Sequence, residues 1–392
     1  MKCRAWKLMA AAGLSLAMAA CGGSGSGSSD GGASGKTGDT VKIGLNFELS
    51  GDVAQYGTQE SEGAKLAIEQ FNAREDKPFT VEAVEIDDKG DAAESTTAAT
   101  KLITEDGVAA IVGPATSSAS IATYAVASEN SVPVISPSTT QVDAMLNAGE
   151  PYEYAWRVCF EDSYQGAAMA LYSHDTLKAT KAVIVNETSD YGQGLANAYK
   201  EEFEKLGGKV VAQEQYNAKD TDFASMLTKL KGQDFDVMYI AGYYNEAGLI
   251  IKQAREDGID TPIVGADGFD SATLADLAGT SNLHNVFYTT AYTTIDASDE
   301  LQSFIDAYKE KYNKEPGMFS ALAYDATNLV LDQLEATGAT GKELNEAIKK
   351  ADFTGITGSF TFDEATHTPQ KSVLVVELDN GAAVSATEVS VD

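Results

Sequence analysis

Cysteine, histidine and positive charge are all scarce in this chain. Its 392 residues include three cysteines and three histidines. Cys3 and Cys21 fall in or at the end of an N-terminal leader, so Cys159 stands alone in the body. An intramolecular disulfide is thereby excluded, and stability must come from packing. Cys159 sits in the strand-like run Trp156-Arg157-Val158-Cys159-Phe160 with no histidine near it, the setting of a buried, inert thiol. His174, His284 and His367 are widely separated in helix-end or loop contexts, which reads as surface histidine. Outside the Gly/Ser-rich stretch of residues 22–39, no G-x-S-x-G pattern occurs, and no H-E-x-x-H or C-x-x-C anywhere. No catalytic residue, metal site or other cofactor is therefore expected, and an extracellular hydrolase or amidase is disfavoured. Lys and Arg number 28 against 59 Asp and Glu, a formal net charge of −31. Such a surface repels phosphates and anionic headgroups, which excludes a nucleic-acid partner. The apolar stretch over residues 8–20 is well short of the ~20 residues of a spanning helix, and no later run is longer.

That stretch is nevertheless informative. Lys2, Arg4 and Lys7 precede it, and Leu14-Ser15-Leu16-Ala17-Met18-Ala19-Ala20-Cys21 ends it in small residues, the pattern of a secretory leader. A cysteine placed directly at the cut resembles the lipobox of bacterial lipoproteins. The resemblance implies removal of residues 1–20 and diacylglycerol on the Cys21 thiol, hence an extracytoplasmic body anchored to the cell membrane. An ordinary leader with a chance cysteine is the plainer alternative. Residues 21–39 are almost wholly Gly, Ser, Ala, Asp, Lys and Thr, too poor in apolar side chains to pack, and read as a flexible tether.

From residue 41 the chain alternates short apolar runs with amphipathic stretches. Strands are expected at Val41–Leu45, Phe79–Asp87, Ala109–Val112 and Val134–Ile135, with helices at Gln59–Asn72, Asp91–Glu105 and Ser117–Glu129. The rhythm restarts at Asp162, with strands at 182–185, 209–216, 237–240 and 263–264 and helices at 162–173, 191–206 and 244–257. Leu301, Phe304, Ile305 and Tyr308 mark a further amphipathic helix. Alternation of this kind predicts an α/β protein with parallel sheets in two Rossmann-like lobes. Ligands of such sheets sit at the carboxyl ends of the strands.

Several loops at those ends carry polar chemistry. Gly113-Pro114-Ala115-Thr116-Ser117-Ser118 opens a helix, so Ser117 could cap it and leave backbone N–H groups for an anion. Ser136-Pro137-Ser138-Thr139-Thr140 repeats that chemistry. Asp162 and Asp267 lie in turns after other strands, and Tyr191 and Tyr243 sit beside glycines at corresponding places. Each has a plainer reading as a cap, a turn residue or a packed aromatic. Together they set hydroxyls on one lobe against carboxylates and tyrosines on the other, which suits a zwitterion with ammonium and carboxylate on adjacent carbons.

Ordered along the chain, these segments resemble the branched-chain amino-acid binding proteins that feed ABC importers. The likeness runs from about residue 41 to 380. It is carried by Ser50-Gly51-Asp52-Val53-Ala54-Gln55-Tyr56-Gly57, the two hydroxyl loops, Asp162-Ser163-Tyr164-Gln165-Gly166, Asp190-Tyr191-Gly192-Gln193-Gly194, Gly242-Tyr243, Gly265-Ala266-Asp267-Gly268 and Gly317-Met318-Phe319. It implies a type I periplasmic binding protein with a three-strand hinge, residues 40–161 with 291–370 forming one lobe and 162–290 with 371–392 the other. It further implies that Ser117 and Thr140 hold the ligand's carboxylate and ammonium, helped by the backbone of Ser138, with Thr116 and Thr139 in the same loops. Tyr243 and Asp267 would approach the ammonium, Tyr191 would lie over the closed cleft, and Asp162 would support the site. Tyr56 and Phe319 would flank the ligand's side chain. Two departures stand out. Asp267 replaces the glutamate typical of the family, shortening the reach by roughly 1.5 Å, so its contact is either direct or through water. Thr116 stands where some members have a disulfide cysteine. The implied partners are a small apolar amino acid and a membrane permease, with the binding protein itself a monomer. A sensor subunit, or a binder of amides or urea on the same fold, remains the alternative.

Overall fold

Apolar runs pair edge to edge as strands, and the amphipathic stretches between them pack across the resulting sheets. The computed structural model of the chain describes residues 35–295, 297–369 and 371–391. The expected leader, Cys21 and most of the tether lie outside the described residues.

Two large sheets organise the body. The first has five strands in the order Thr80–Asp87, Thr40–Phe47, Ala110–Val112, Val134–Ser136 and Ala155–Arg157, all parallel. The second has seven, in the order Ala382–Val389, Val373–Asp379, Val286–Thr290, Ile263–Gly265, Val237–Ala241, Lys181–Glu187 and Lys209–Tyr216. Five of these run parallel, but the two C-terminal strands pair antiparallel. The parallel pairing gives way at that edge for a local reason. Asn380 and Gly381 both have positive φ, 51° and 81°, the geometry of a two-residue hairpin turn that folds the last strand straight back. The first helix starts at Ala54, earlier than the sequence pattern predicts, so Tyr56 lies on its opening turn. Other helices fall close to expectation, as at Ser117–Glu129, Asp190–Lys205 and Tyr244–Glu256.

The chain passes between the sheets after Arg157, after Thr290 and before Val373. Buried side chains fasten these crossings. Arg157 Nη2 donates to Glu161 Oε2 at 2.8 Å, and its Nε donates to Thr368 Oγ1 at 2.9 Å. Lys371 Nζ donates to the Val158 carbonyl at 3.0 Å and to Thr357 Oγ1 at 2.6 Å. Cys159 is buried as expected, and burial pushes its thiol up. His367 departs from expectation: it is buried and stacked on Trp156 with ring centroids 4.0 Å apart. Loss of solvent there pushes its imidazole down, favouring the neutral form.

The second crossing leads, through the helix Asp299–Tyr312, to the helix Met318–Thr337, which lies against Ala54–Ala73 on the five-stranded sheet. Their approach depends on Gly63, where a Cβ would sit 2.0 Å from the Ser320 carbonyl oxygen. Gly63→Ala must force these helices apart. We expect it to lower the unfolding free energy by about 1–3 kcal/mol, read from the urea midpoint; an unchanged midpoint would contradict this packing.

Candidate functional site

The carboxyl ends of both sheets face one another across a cavity lined by Tyr56, Ala115, Thr116, Ser117, Ser138, Tyr191, Tyr243, Asp267, Gly268 and Phe319. Eight of the eleven residues expected at a ligand site therefore line one space. Thr139, Thr140 and Asp162 stand behind the wall. The cavity measures about 10 Å³, room for roughly one water. A larger cleft of about 510 Å³ opens at the crossings beside Phe160, Tyr164, Asp363 and Lys371. It too carries carboxylates and hydroxyls, Glu161, Asp363, Ser163 and Thr368 among them, but none of the eleven residues expected at the ligand site.

Aromatic rings form much of the wall. Tyr191 stacks on Tyr243, with centroids 4.8 Å apart and planes 2° from parallel. Tyr56 meets Tyr243 edge-on at 5.6 Å and leans on Phe319 at 4.3 Å. Contacts between the sheet-bearing halves close the cavity on several sides. Tyr56 O–H donates to the Gly268 carbonyl at 2.6 Å, Tyr244 O–H to the Asp52 carbonyl at 2.9 Å, and Ser118 O–H to Asp190 Oδ2 at 2.9 Å. Lys219 and Asp52 add an ion pair at 3.0 Å, exposed on both sides and so of little energetic weight.

Asp267 opens a short 3-10 turn directly after the strand Ile263–Gly265, which aims it into the cavity. Its Oδ1 accepts from Tyr191 O–H at 2.6 Å and from Gln165 Nε2 at 3.0 Å. Burial pushes its carboxyl up to about 6 despite those donors. The same Gln165 nitrogen donates to Asp162 Oδ1 at 2.9 Å, while Gln165 Oε1 accepts from Thr289 O–H at 2.7 Å. Burial, and then the neighbouring Asp267 charge, pushes Asp162 up to about 8. Gln165 thus bridges two buried carboxylates. It lies in a segment the sequence reading quotes, but only the fold reveals its role.

On the hydroxyl side one expectation needs correcting. The first N–H groups of the 113–118 loop are not free: Ala115 N–H and Thr116 N–H donate to the two oxygens of Glu48 at 3.0 and 2.8 Å. Thr116 O–H joins them at 2.8 Å on Glu48 Oε1. Nor does Ser117 cap the helix. Thr116 holds the N-cap position without a side-chain cap bond, and Ser117 Oγ accepts from Gln141 N–H at 3.3 Å. Thr139 O–H is turned toward Ser120 and Ser136 within its own loop system. Thr140 Oγ1 is buried without a hydrogen-bond partner, an unmet polar atom close to the site. Among the described residues no cluster of His, Cys, Asp or Glu could hold a metal ion, and no helix is long and apolar enough to cross a membrane.

Comparison with known proteins places this geometry. Residues 40–383 match a family described as periplasmic binding protein. The Leucine-, isoleucine-, valine-, threonine-, and alanine-binding protein of Pseudomonas aeruginosa is 30% identical over 328 residues, covering 83% of this chain and 86% of its own length. Among solved structures, the branched-chain amino acid transporter substrate binding protein LivJ from Streptococcus pneumoniae, in complex with isoleucine, superposes with a TM-score of 0.84 at 40% identity. That match covers 89% of this chain and 99% of the other. The leucine binding protein LivK from Thermotoga maritima superposes with a TM-score of 0.83 at 32% identity, covering 89% of this chain and 98% of its own.

Gln165→Ala leaves Asp162, Asp267 and Thr289 short of partners in a buried place. We expect a stability loss of about 3 kcal/mol in urea denaturation; a loss under about 0.5 kcal/mol, the level of an ordinary surface change, would refute the bridge.

Proposed function

The chain belongs to the periplasmic binding proteins, a family of substrate-binding proteins rather than enzymes, and from that premise we propose that it captures a branched-chain or similar apolar α-amino acid outside the cytoplasm for the permease of an ABC importer. One observation carries the reading: Asp267 and Tyr191 face the hydroxyl-bearing Ser117 and Ser138 across a cavity walled by Tyr56, Tyr243 and Phe319. Asp267 supplies the charge for an ammonium, helped by Tyr243. Ser117, Thr140 and the backbone of Ser138 take the carboxylate. Asp162, through Gln165, holds Asp267 in place. Thr116 and Thr139 act indirectly, since the Thr116 hydroxyl is taken up by Glu48 and the Thr139 hydroxyl by Ser120 and Ser136. The aromatic wall carries no charge besides Asp267 and so favours an apolar side chain.

A cavity the size of one water cannot admit an amino acid, so capture requires the halves to part and then to close on the ligand. Ligand contacts to both halves exist only when closed, and that difference drives closure. We place the moving lobes at residues 40–161 with 291–370 and at 162–290 with 371–392, working as a monomer. The proposed anchor is diacylglycerol on Cys21.

Calorimetric titration with leucine, isoleucine and valine tests the main reading, and heat from at least one is expected. Asp267→Ala should weaken that binding at least about tenfold, or about 1.4 kcal/mol, because it leaves a buried ammonium unpaired. Silence from all twenty amino acids would sink the proposal. For the anchor, mass spectrometry of the mature N-terminal peptide should find diacylglycerol on Cys21; a mature peptide carrying an unmodified Cys21 would exclude lipidation at this position.

A further inference from the structure

Behind the hydroxyl wall lies a second carboxylate group that the ligand reading does not use. Glu48, Glu60 and Asp88 are each fully buried. Among the described residues no ion pair reaches any of them. Glu48 is well provided for, accepting three hydrogen bonds from Ala115 and Thr116. Asp88 Oδ1 accepts from Gly90 N–H at 3.0 Å, while its Oδ2 has no partner. Glu60 is the odd member. Its Oε1 lies in hydrogen-bond contact with Ser138 Oγ, and its Oε2 has no partner. Ser138 Oγ also lies 2.9 Å from the Ala115 carbonyl oxygen.

That pair of contacts fixes a proton. A serine hydroxyl has one hydrogen, and a carbonyl oxygen can only accept. If Ser138 donates to Ala115 O, the hydrogen between Ser138 and Glu60 must come from Glu60. Were Glu60 ionised, two buried acceptors would compete for one hydrogen, with no cation to offset the charge.

We propose that Glu60 is a neutral carboxylic acid that donates to Ser138 and, through Ser138, locks the loop 136–140 onto the loop 113–118. Glu60 is thus a positioning residue of the cavity. Its effect on binding rests on the amino-acid reading above, because Ser138 lies where the ligand's carboxylate is placed. Neutral Glu60 puts no charge behind that carboxylate; ionised Glu60 puts a negative one a single hydrogen bond away and frees the two loops. The ionisable groups bearing on Glu60 are Glu48, from the end of the first strand, and Asp88, from the loop after the second. Both are acidic and both oppose its ionisation. Burial is the larger cause, and together they hold its carboxyl well above the usual range.

The sign follows from linkage. A carboxyl raised in the folded state gives a contribution that is complete below its unfolded value, and it is lost progressively as pH rises toward the folded one. Glu60→Gln supplies the same donor to Ser138 without that loss. Thermal unfolding of the ligand-free protein and of Glu60→Gln should give equal midpoints near about pH 4.5, with the variant higher by about 2 °C or more near about pH 8. A variant less stable than the parent at the higher pH, or one that fails to fold, overturns the assignment. These melts need no ligand, so they judge the proton even if no amino acid binds. In titrations with isoleucine, affinity of the parent should fall on the alkaline side while that of Glu60→Gln stays level within about threefold, or about 0.65 kcal/mol. Parallel profiles would overturn the positioning role.

Discussion

Carboxyl groups buried without a direct ion pair are the constraint around which this site is built. Glu48, Glu60, Asp162 and Asp267 all lie at the cavity wall or within two hydrogen bonds of it, each deeply buried. A protein interior tolerates such groups only if donors surround them or protons neutralise them. Both solutions appear. Glu48 gathers the N–H groups of a helix-opening loop, and Asp267 takes a phenol and an amide. Burial raises the carboxyls of all four, and Asp162 and Glu60 have fewer donors to offset it. The hydroxyl side is therefore less a set of free donors than a network already organised by acid groups behind it.

On the proposed reading, the Tyr191–Asp267 bond is a stand-in for the ligand's ammonium. The phenol gives Asp267 a short charge-assisted bond while the halves are shut. An incoming ammonium has to compete with or join that bond. Closed contacts such as Tyr56 to Gly268 are independent of any ligand, so the shut form has interactions of its own. Affinity then reflects the difference between filled and self-satisfied closed states, not the sum of ligand contacts alone.

Much of the architecture was legible because it is written in local periodicity. Runs such as Val237–Ala241 and the face Leu301, Phe304, Ile305 and Tyr308 declare strand and helix by spacing alone. The C-terminal hairpin carried a readable sign, Asn380-Gly381 between apolar runs, that the alternating pattern overshadowed. In the site, Gly-rich and hydroxyl-rich loops stand out because turns at strand ends need those residues. Glu60 does not: beside Gln59, Ser61 and Glu62 it looks like part of a solvated helix face, and only the packing of Ala54–Ala73 turns it inward. Gln165 and Glu48 are hidden likewise: Gln165 reaches Asp267 and Thr289, 102 and 124 residues away, and Glu48 reaches Ala115, 67 away. His367 was misjudged for the same reason, its stack on Trp156 being a long-range contact.

The helix pair closed at Gly63 has a consequence for how the chain comes into being. Ala54–Ala73 packs on Met318–Thr337 and is hydrogen-bonded to Asp299–Tyr312, and the seven-stranded sheet is finished only by Ala382–Val389. The five-stranded half is thus completed by helices from late in the polypeptide, and the seven-stranded half, begun in its middle, by the two strands at its end. Synthesis from the N-terminus finishes neither half early: the five-stranded half waits for Met318–Thr337 and the seven-stranded half for the last strand, so the two mature close together.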